Sequence, residues 1–341
     1  MSKLLAGTIL FAGLLGAGSF SCAQAATVTD DGEPVDVTFA GGAAGGTFSA
    51  VGEAITEMIR REYPGSSPTY EPGSNAGAIL GVAEGRYSMG LGAPIEMAIG
   101  FRGEPPFEKA VARDDVRIVA RIADGMKAYF IGTKTFMERN GVRTLEDIAQ
   151  KKLPVRISIG QQGNLSVVSQ AEAFLAAHNL SVDEVKSRGG TVYHYPAGQS
   201  FDLMRDARAD ITFTAGWHPE GRILELARSI PITFIPVEQR AVDQVAEKFG
   251  VETAVIPKGT YTFLDEDYYT TSIGIYLIAG PKASDQEVYK VAKSLHRRFD
   301  YLRGVHKVFS TYEPDMLPES GPYELHPGAA QYYEEAGLPE H

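Results

Sequence analysis

Cysteine is nearly absent from this chain: Cys22 is the only one in 341 residues. A single thiol excludes an intrachain disulfide framework and a cysteine-based metal site. It leaves the redox compartment open, because a chain of this size can build a core that needs no covalent staples. Positive charge is also short. With 32 Lys and Arg against 43 Asp and Glu, the formal net charge is -11. No basic cluster reverses that balance locally, which argues against a nucleic-acid backbone or an anionic membrane surface as partner. Beyond the first residues, no apolar run approaches the roughly 20 residues that a membrane helix needs.

Catalytic patterns are missing as well. His178, His194, His218, His296, His306, His326 and His341 are scattered, with no H-E-x-x-H among them. His326 stands in a His-Pro-Gly turn, a structural setting. No G-x-S-x-G elbow occurs. The glycines at 41, 42, 45 and 46 invite a dinucleotide reading, but Ala43 and Ala44 break G-x-G-x-x-G in either register. Asp265-Glu266-Asp267 lacks the spacing of a calcium loop and reads as a solvated turn. No catalytic residue, metal or cofactor is expected.

What is present begins with the leader. Lys3, an apolar stretch from Leu4 to Leu15 and the small residues Ala23-Gln24-Ala25 have the form of a signal peptide over residues 1–25. The alternatives are a membrane anchor, for which the stretch is short, and lipidation at Cys22, for which Ser19-Phe20-Ser21 is a poor run-up. Export to the periplasm is the expectation. A length about twice that of a typical domain then sets two lobes as the prior.

The mature chain repeats one grammar: a β-rich run, a glycine turn, then a helical pattern. Strands are predicted at Val35–Ala40, Ser67–Glu71, Ser88–Gly92, Val116–Ile122, Lys127–Thr133, Val155–Ile159, Ala209–Thr214 and Thr271–Ala279. Helical patterns follow several of them, and one long amphipathic helix is predicted over Gln286–Leu302. The aromatic-rich tail from Leu325 through Gly337 is expected to be a docked terminal helix. Alternation of this kind implies an α/β fold with largely parallel sheets. Ligands of such sheets bind beyond the carboxyl ends of the strands. Gly46-Thr47, Gly73-Ser74-Asn75 and Gly163-Asn164-Leu165-Ser166 each put small donor-rich residues at such an end. Singly, each residue can be a plain helix N-cap. Their recurrence points to one cleft. Trp217, the only tryptophan, follows a glycine at another strand end, where it can pack in the core or wall off a ligand. Arg121 and Lys127 lie near the expected lobe crossing and are candidates for pairing with a ligand's charge, the alternative being surface salt bridges.

Several segments resemble the TAXI-type solute receptors of TRAP transporters. They are Gly45-Gly46-Thr47-Phe48 with Gly52, and Gly160-Gln161-Gln162-Gly163-Asn164-Leu165-Ser166. Later ones are Ile256-Pro257-Lys258-Gly259-Thr260-Tyr261, His326-Pro327-Gly328-Ala329 and Tyr332-Tyr333-Glu334-Glu335-Ala336-Gly337. The resemblance covers nearly the whole mature chain. It implies a two-lobed periplasmic-binding-protein fold of type II-like form, with a hinge and a central cleft. Lobe I would comprise residues 34–125 plus 280–341 and lobe II residues 126–279. It also implies capture of a small carboxylate ligand, such as an amino acid, a 2-oxoacid or a related organic acid, and delivery to TRAP membrane subunits. A monomer is expected. The alternatives are a periplasmic sensor that presents its ligand to a membrane kinase, and an exported enzyme.

The chain departs from that pattern at the cleft. Asn164, Leu165 and Ser166 replace Ser-Gly-Thr, Phe48 stands where tyrosine is common, and Gly92-Ala93-Pro94 replaces Gln-Ser-Asp. With these positions included, the expected ligand contacts are Gly46, Thr47, Phe48, Ser74, Asn75, Ala93, Pro94, Gly163, Asn164, Leu165, Ser166 and Trp217. Fewer donors imply a less polar or differently shaped carboxylate than an amino acid.

Overall fold

The computed structural model describes residues 28–44, 47–305, 309–310 and 312–338. The expected leader, with Cys22, lies outside them, as does Gly46. The first strands and helices alternate as β1 (Thr38–Gly41), α1 (Thr47–Glu62), β2 (Thr69–Pro72), α2 (Asn75–Ala83), β3 (Met89–Gly92) and α3 (Pro94–Arg102). β1 pairs in parallel with both β2 and β3. A parallel pair needs a crossover, which α1 and α2 supply.

β4 (Arg117–Thr133) then runs for 17 residues. It leads to α4 (Lys134–Asn140), α5 (Leu145–Gln150), β5 (Arg156–Ser158), α6 (Leu165–Ala177), α7 (Val182–Ser187) and β6 (Thr191–Tyr193). Next come α8 (Ala197–Arg205), β7 (Ile211–Gly216), α9 (Gly221–Ser229), β8 (Ile232–Phe234), α10 (Gln239–Phe249) and β9 (Glu252–Ile256). A second long strand, β10 (Tyr268–Ala279), returns the chain to its first half, which α11 (Asp285–Arg297), α12 (Phe299–Val305) and α13 (Pro327–Glu335) complete.

The sheet order is β2-β1-β3-β10-β4-β7-β5-β6, with β8 beside β4 and β9 beside β10. Two copies of one pattern are embedded in it. In the first half, parallel β2-β1-β3 meet an antiparallel β10 and then β4. In the second, parallel β6-β5-β7 meet an antiparallel β4 and then β8. The two long strands therefore serve both halves. This is a two-lobed α/β architecture.

Several expectations change. The sheet is mixed rather than largely parallel, because β4 and β10 run antiparallel to every strand they pair with. The β-rich runs at Val116–Ile122 and Lys127–Thr133 are one strand, because Asp124-Gly125 distorts the ladder without ending it. Asp124, Gly125 and Gly274 drop out of the β4–β10 register. Gly125 has φ +82°, a conformation that costs other residues strain. The long helix predicted over Gln286–Leu302 is two helices, because α11 ends at Arg297 with Arg298 as its C-cap and α12 begins at Phe299. Its start is well specified: Ser284 and Glu287 form a reciprocal capping box. Thr191–Tyr193, Ile232–Phe234 and Glu252–Ile256 are further strands that the periodicity did not single out.

Helices pack on the sheet, so its central strands β3, β4 and β10 are buried over most of their length. One core cluster lies under α1, α11 and α13. A second is continuous across the two halves, joining Ile79, Ile95 and Ile99 to Val167, Phe174, Val245 and Phe249. A third packs Tyr129, Phe201, Ile223 and Phe234 in the second half alone. The terminal helix docks as expected: Tyr333 is buried and donates to the Val119 carbonyl at 3.0 Å. His326 is structural, its Nδ1 accepting from the Gly328 N–H at 3.3 Å as the cap of α13.

Candidate functional site

The parallel strands of both halves end toward the crossing of β4 and β10, so the turns after them face one another. Two groups of contacts join the halves there.

The first group surrounds a carboxylate. Glu96, in the first turn of α3, is 2% exposed. It accepts a hydrogen bond of 2.6 Å from the Ser166 hydroxyl, on α6 of the other half. Burial holds the Glu96 carboxyl above the ordinary carboxylate range, although hydrogen bonds from Ser166, the local backbone and Asn75 oppose that shift. Glu96 Oε2 and Asn75 Oδ1 are both buried without a hydrogen-bond partner. Such acceptors are costly to leave unmade. Gly42 permits the approach. A Cβ there would stand 2.8 Å from Phe48 Cβ and 3.2 Å from Asn75 Oδ1.

The second group surrounds the irregular turn of β4. The Trp217 indole, following β7, donates to the Asp124 carbonyl at 2.7 Å. The Tyr312 hydroxyl donates to the same oxygen. Trp217 also sits edge-on to Phe309, with ring centroids 6.2 Å apart. The turn that carries Trp217 is braced from behind. Glu220 accepts from the Tyr129 hydroxyl at 2.6 Å, and the Tyr261 hydroxyl accepts from the Glu220 N–H at 2.8 Å. His218 Nδ1 meets that same hydroxyl at 2.7 Å. Burial, with the charge of Lys127, lowers the His218 imidazole to about 4, so this bracing ring is neutral near pH 7.

The two cations near the crossing have different fates. Arg121 binds Asp124 and Glu252, each at 2.9 Å, and also Glu319. Its charge is more than matched. Lys127 has no carboxylate within ion-pair distance among the described residues. One cavity of about 400 Å³ lies beside Pro94, Arg121, Ser272 and Tyr276, and a separate one of about 620 Å³ lies between α3, α6 and α10.

The sequence-predicted residues divide accordingly. Asn75 and Ser166 converge on Glu96, and Phe48 is half-buried beside Asn75. Ala93 is the buried cap of α3, and the Pro94 carbonyl accepts from Tyr323 at 3.1 Å. Ser74 and Asn164 are N-caps, accepting from the N–H groups of Gly77 at 3.1 Å and Val167 at 3.3 Å. Leu165 packs on the core, Gly163 is exposed, and Thr47 opens α1 half-buried. Trp217 belongs to the second group. Glu96, Asp124 and Tyr312 escaped sequence reasoning. For Glu96 a signal existed: it is the one acidic residue in the otherwise apolar run from Ala93 to Phe101.

No helix among the described residues is long and apolar enough to cross a membrane. Residues 39–337 match the model of a family described as NMT1-like. Among solved structures, MatC from Rhodopseudomonas palustris with bound malate is 15% identical, covering 89% of this chain and 97% of that one, with a TM-score of 0.50. PhnD1 from Prochlorococcus marinus (MIT 9301), in complex with methylphosphonate, is 9% identical, covering 90% and 100%, with a TM-score of 0.49. The likeness to MatC is one of fold and agrees with the two-lobed arrangement.

Proposed function

The chain belongs to the NMT1-like family, and from that premise we propose that it is an extracytoplasmic solute-binding protein. It captures a small carboxylated solute by closing two lobes and turns nothing over. In the finer reading it is the receptor of a TAXI-type TRAP transporter. Its leader exports it to the periplasm, and it works as a monomer that hands its solute to TRAP membrane subunits. Lobe I holds residues 34–125 and the chain beyond β10; lobe II lies between. The hinge is at Asp124-Gly125 on β4 and at Gly274 on β10, where the ladder loses register.

One observation carries this reading: the strand-end turns of the two halves meet at the crossing, where polar contacts link them beside the apolar packing of α3 on α6 and α10. Glu96 with Ser166, and Trp217 with the Asp124 carbonyl, are such contacts. Links of this kind can break and re-form as rigid halves swing about a hinge. A solute that touches both halves favours the closed arrangement by its differential affinity. The malate in MatC, a carboxylated solute on a similar fold, supports the solute class.

The test is thermal unfolding of the purified protein against a panel of amino acids, 2-oxoacids and hydroxyacids, with product analysis of each mixture. One of these carboxylates is expected to raise the midpoint by several degrees, since saturation at about 100 times Kd adds ~2.7 kcal/mol. No product should form. A panel without any shift, run on protein freed of co-purified ligand, or turnover of the bound compound, contradicts the proposal.

A further inference from the structure

Burying an ammonium without a counter-charge is unfavourable, so lysines kept from solvent are normally paired. Among the described lysines, Lys290 is buried and Lys127 and Lys293 are half-buried; the rest are exposed. Lys290 pairs with Asp31 and Lys293 with Asp30. Lys127 alone of the three has no acidic partner.

Lys127 stands on the strand that crosses between the two halves. On β4 it lies between Ser272 of β10 and Gly216 of β7 in the ladder, two residues past the irregular turn. A Cβ placed on Gly125 would meet Lys127 Nζ, Trp217 Cδ1 and Tyr312 Oη, each at 3.8 Å. An ammonium, an indole and a phenol hydroxyl therefore surround one small space, contributed by both halves and their crossing. The charge of Lys127 also reaches His218, whose imidazole it helps to keep neutral. The neighbouring cation is already engaged, because Arg121 has three carboxylates of its own.

We infer that Lys127 is the counter-ion of the bound solute and that the site selects a solute with a single carboxylate. This rests on the solute-binding reading above. The carboxylate accepts from the ammonium, and the rest of the molecule lies against the Trp217 indole. A second carboxylate would find no free cation there, and Glu96 lies at the opposite group of turns. A neutral amide of the same shape would leave the ammonium unpaired. Lys127 is thus a specificity-determining residue.

The test is calorimetric titration of the wild type, Lys127→Gln and Lys127→Arg with three sets of probes. These are monocarboxylates (pyruvate, 2-oxobutyrate, lactate, leucine), their neutral amides, and the dicarboxylates malate and 2-oxoglutarate. The wild type is expected to bind a monocarboxylate at least about 50-fold more tightly than its amide, as loss of a buried charge pair implies. Lys127→Gln should lose about that factor for the acid and bind acid and amide alike, while Lys127→Arg retains part of the preference. Unfolding midpoints of the variants, measured alongside, separate lost binding from lost folding. If the wild type binds a carboxylate and Lys127→Gln binds it within about threefold, the inference is overturned while the solute-binding reading survives. A wild type that prefers a dicarboxylate overturns the single-charge claim. A wild type that binds none of the carboxylates removes both.

Discussion

The two halves of the molecule share a strand order but not a chemistry at their cleft. The first half contributes acceptors, Glu96 Oε2 and Asn75 Oδ1, both buried and unpartnered. The second contributes donors and an aromatic wall, namely the Ser166 hydroxyl and the Trp217 indole. The crossing between them contributes charge. There the comparison is sharpest, because Arg121 and Lys127 stand on one strand and only Arg121 is neutralised by the protein. A fold repeated twice has thus been given unlike turns. Under the inference above, the asymmetry would give a solute a direction, with its anionic end at Lys127 and the remainder against Trp217.

Substituting Arg121 should break the comparison most severely. Arg121→Met leaves Asp124, Glu252 and Glu319 with no shared cation. The loss of a buried pair costs about 3–5 kcal/mol. These three carboxylates are 35%, 57% and 40% exposed, so water screens them after the change. A loss of about 2–3 kcal/mol in denaturant unfolding is expected after that discount. Lys127→Gln, removing a charge that nothing in the protein compensates, should change folding stability by no more than about 0.5 kcal/mol. Equal losses at the two positions would show that Lys127 has a structural partner and would dissolve the contrast.

A smaller effect sharpens the first half's side of the comparison. Burial raises the Glu96 carboxyl above its ordinary value of 4.5 in the folded chain. Its protonated form therefore favours the folded state. That contribution is complete below pH 4.5 and is lost as pH rises through the raised folded value. Glu96→Gln keeps the shape and cannot ionise. The stability of the variant relative to wild type should thus increase with pH across that window, with a slope of at most ~1.4 kcal/mol per pH unit. Denaturant curves at a series of pH values read this directly. A difference that does not vary with pH would mean that Glu96 is solvated in the native state.

Much of the fold was legible in the chain because its signals are local. Glycine turns, helix caps and alternating apolar runs mark the strand ends within a few residues, so the α/β alternation and the cleft-facing turns could be read. Ser74 and Asn164 show the ambiguity of that evidence, since an N-cap and a ligand donor look alike in sequence. What stayed hidden depends on long separations. Ser166 and Glu96 are 70 residues apart, Trp217 and Asp124 are 93 apart, and Tyr312 and Asp124 are 188 apart. No periodicity encodes such pairs; they follow from the crossing of β4 and β10. For the same reason Asp124-Gly125 looked like the end of one strand and the start of another. The partner strand β10 pairs on both sides of it and carries the ladder past.

Closure about that crossing is the central claim, and small-angle X-ray scattering with and without a bound carboxylate tests it most directly. The solute is first identified by the unfolding panel. On its addition the radius of gyration should fall and the distance distribution lose its longest separations, as two lobes swing together. A profile that stays unchanged while calorimetry records saturating binding would contradict the account, because the solute would then enter a cleft that does not move.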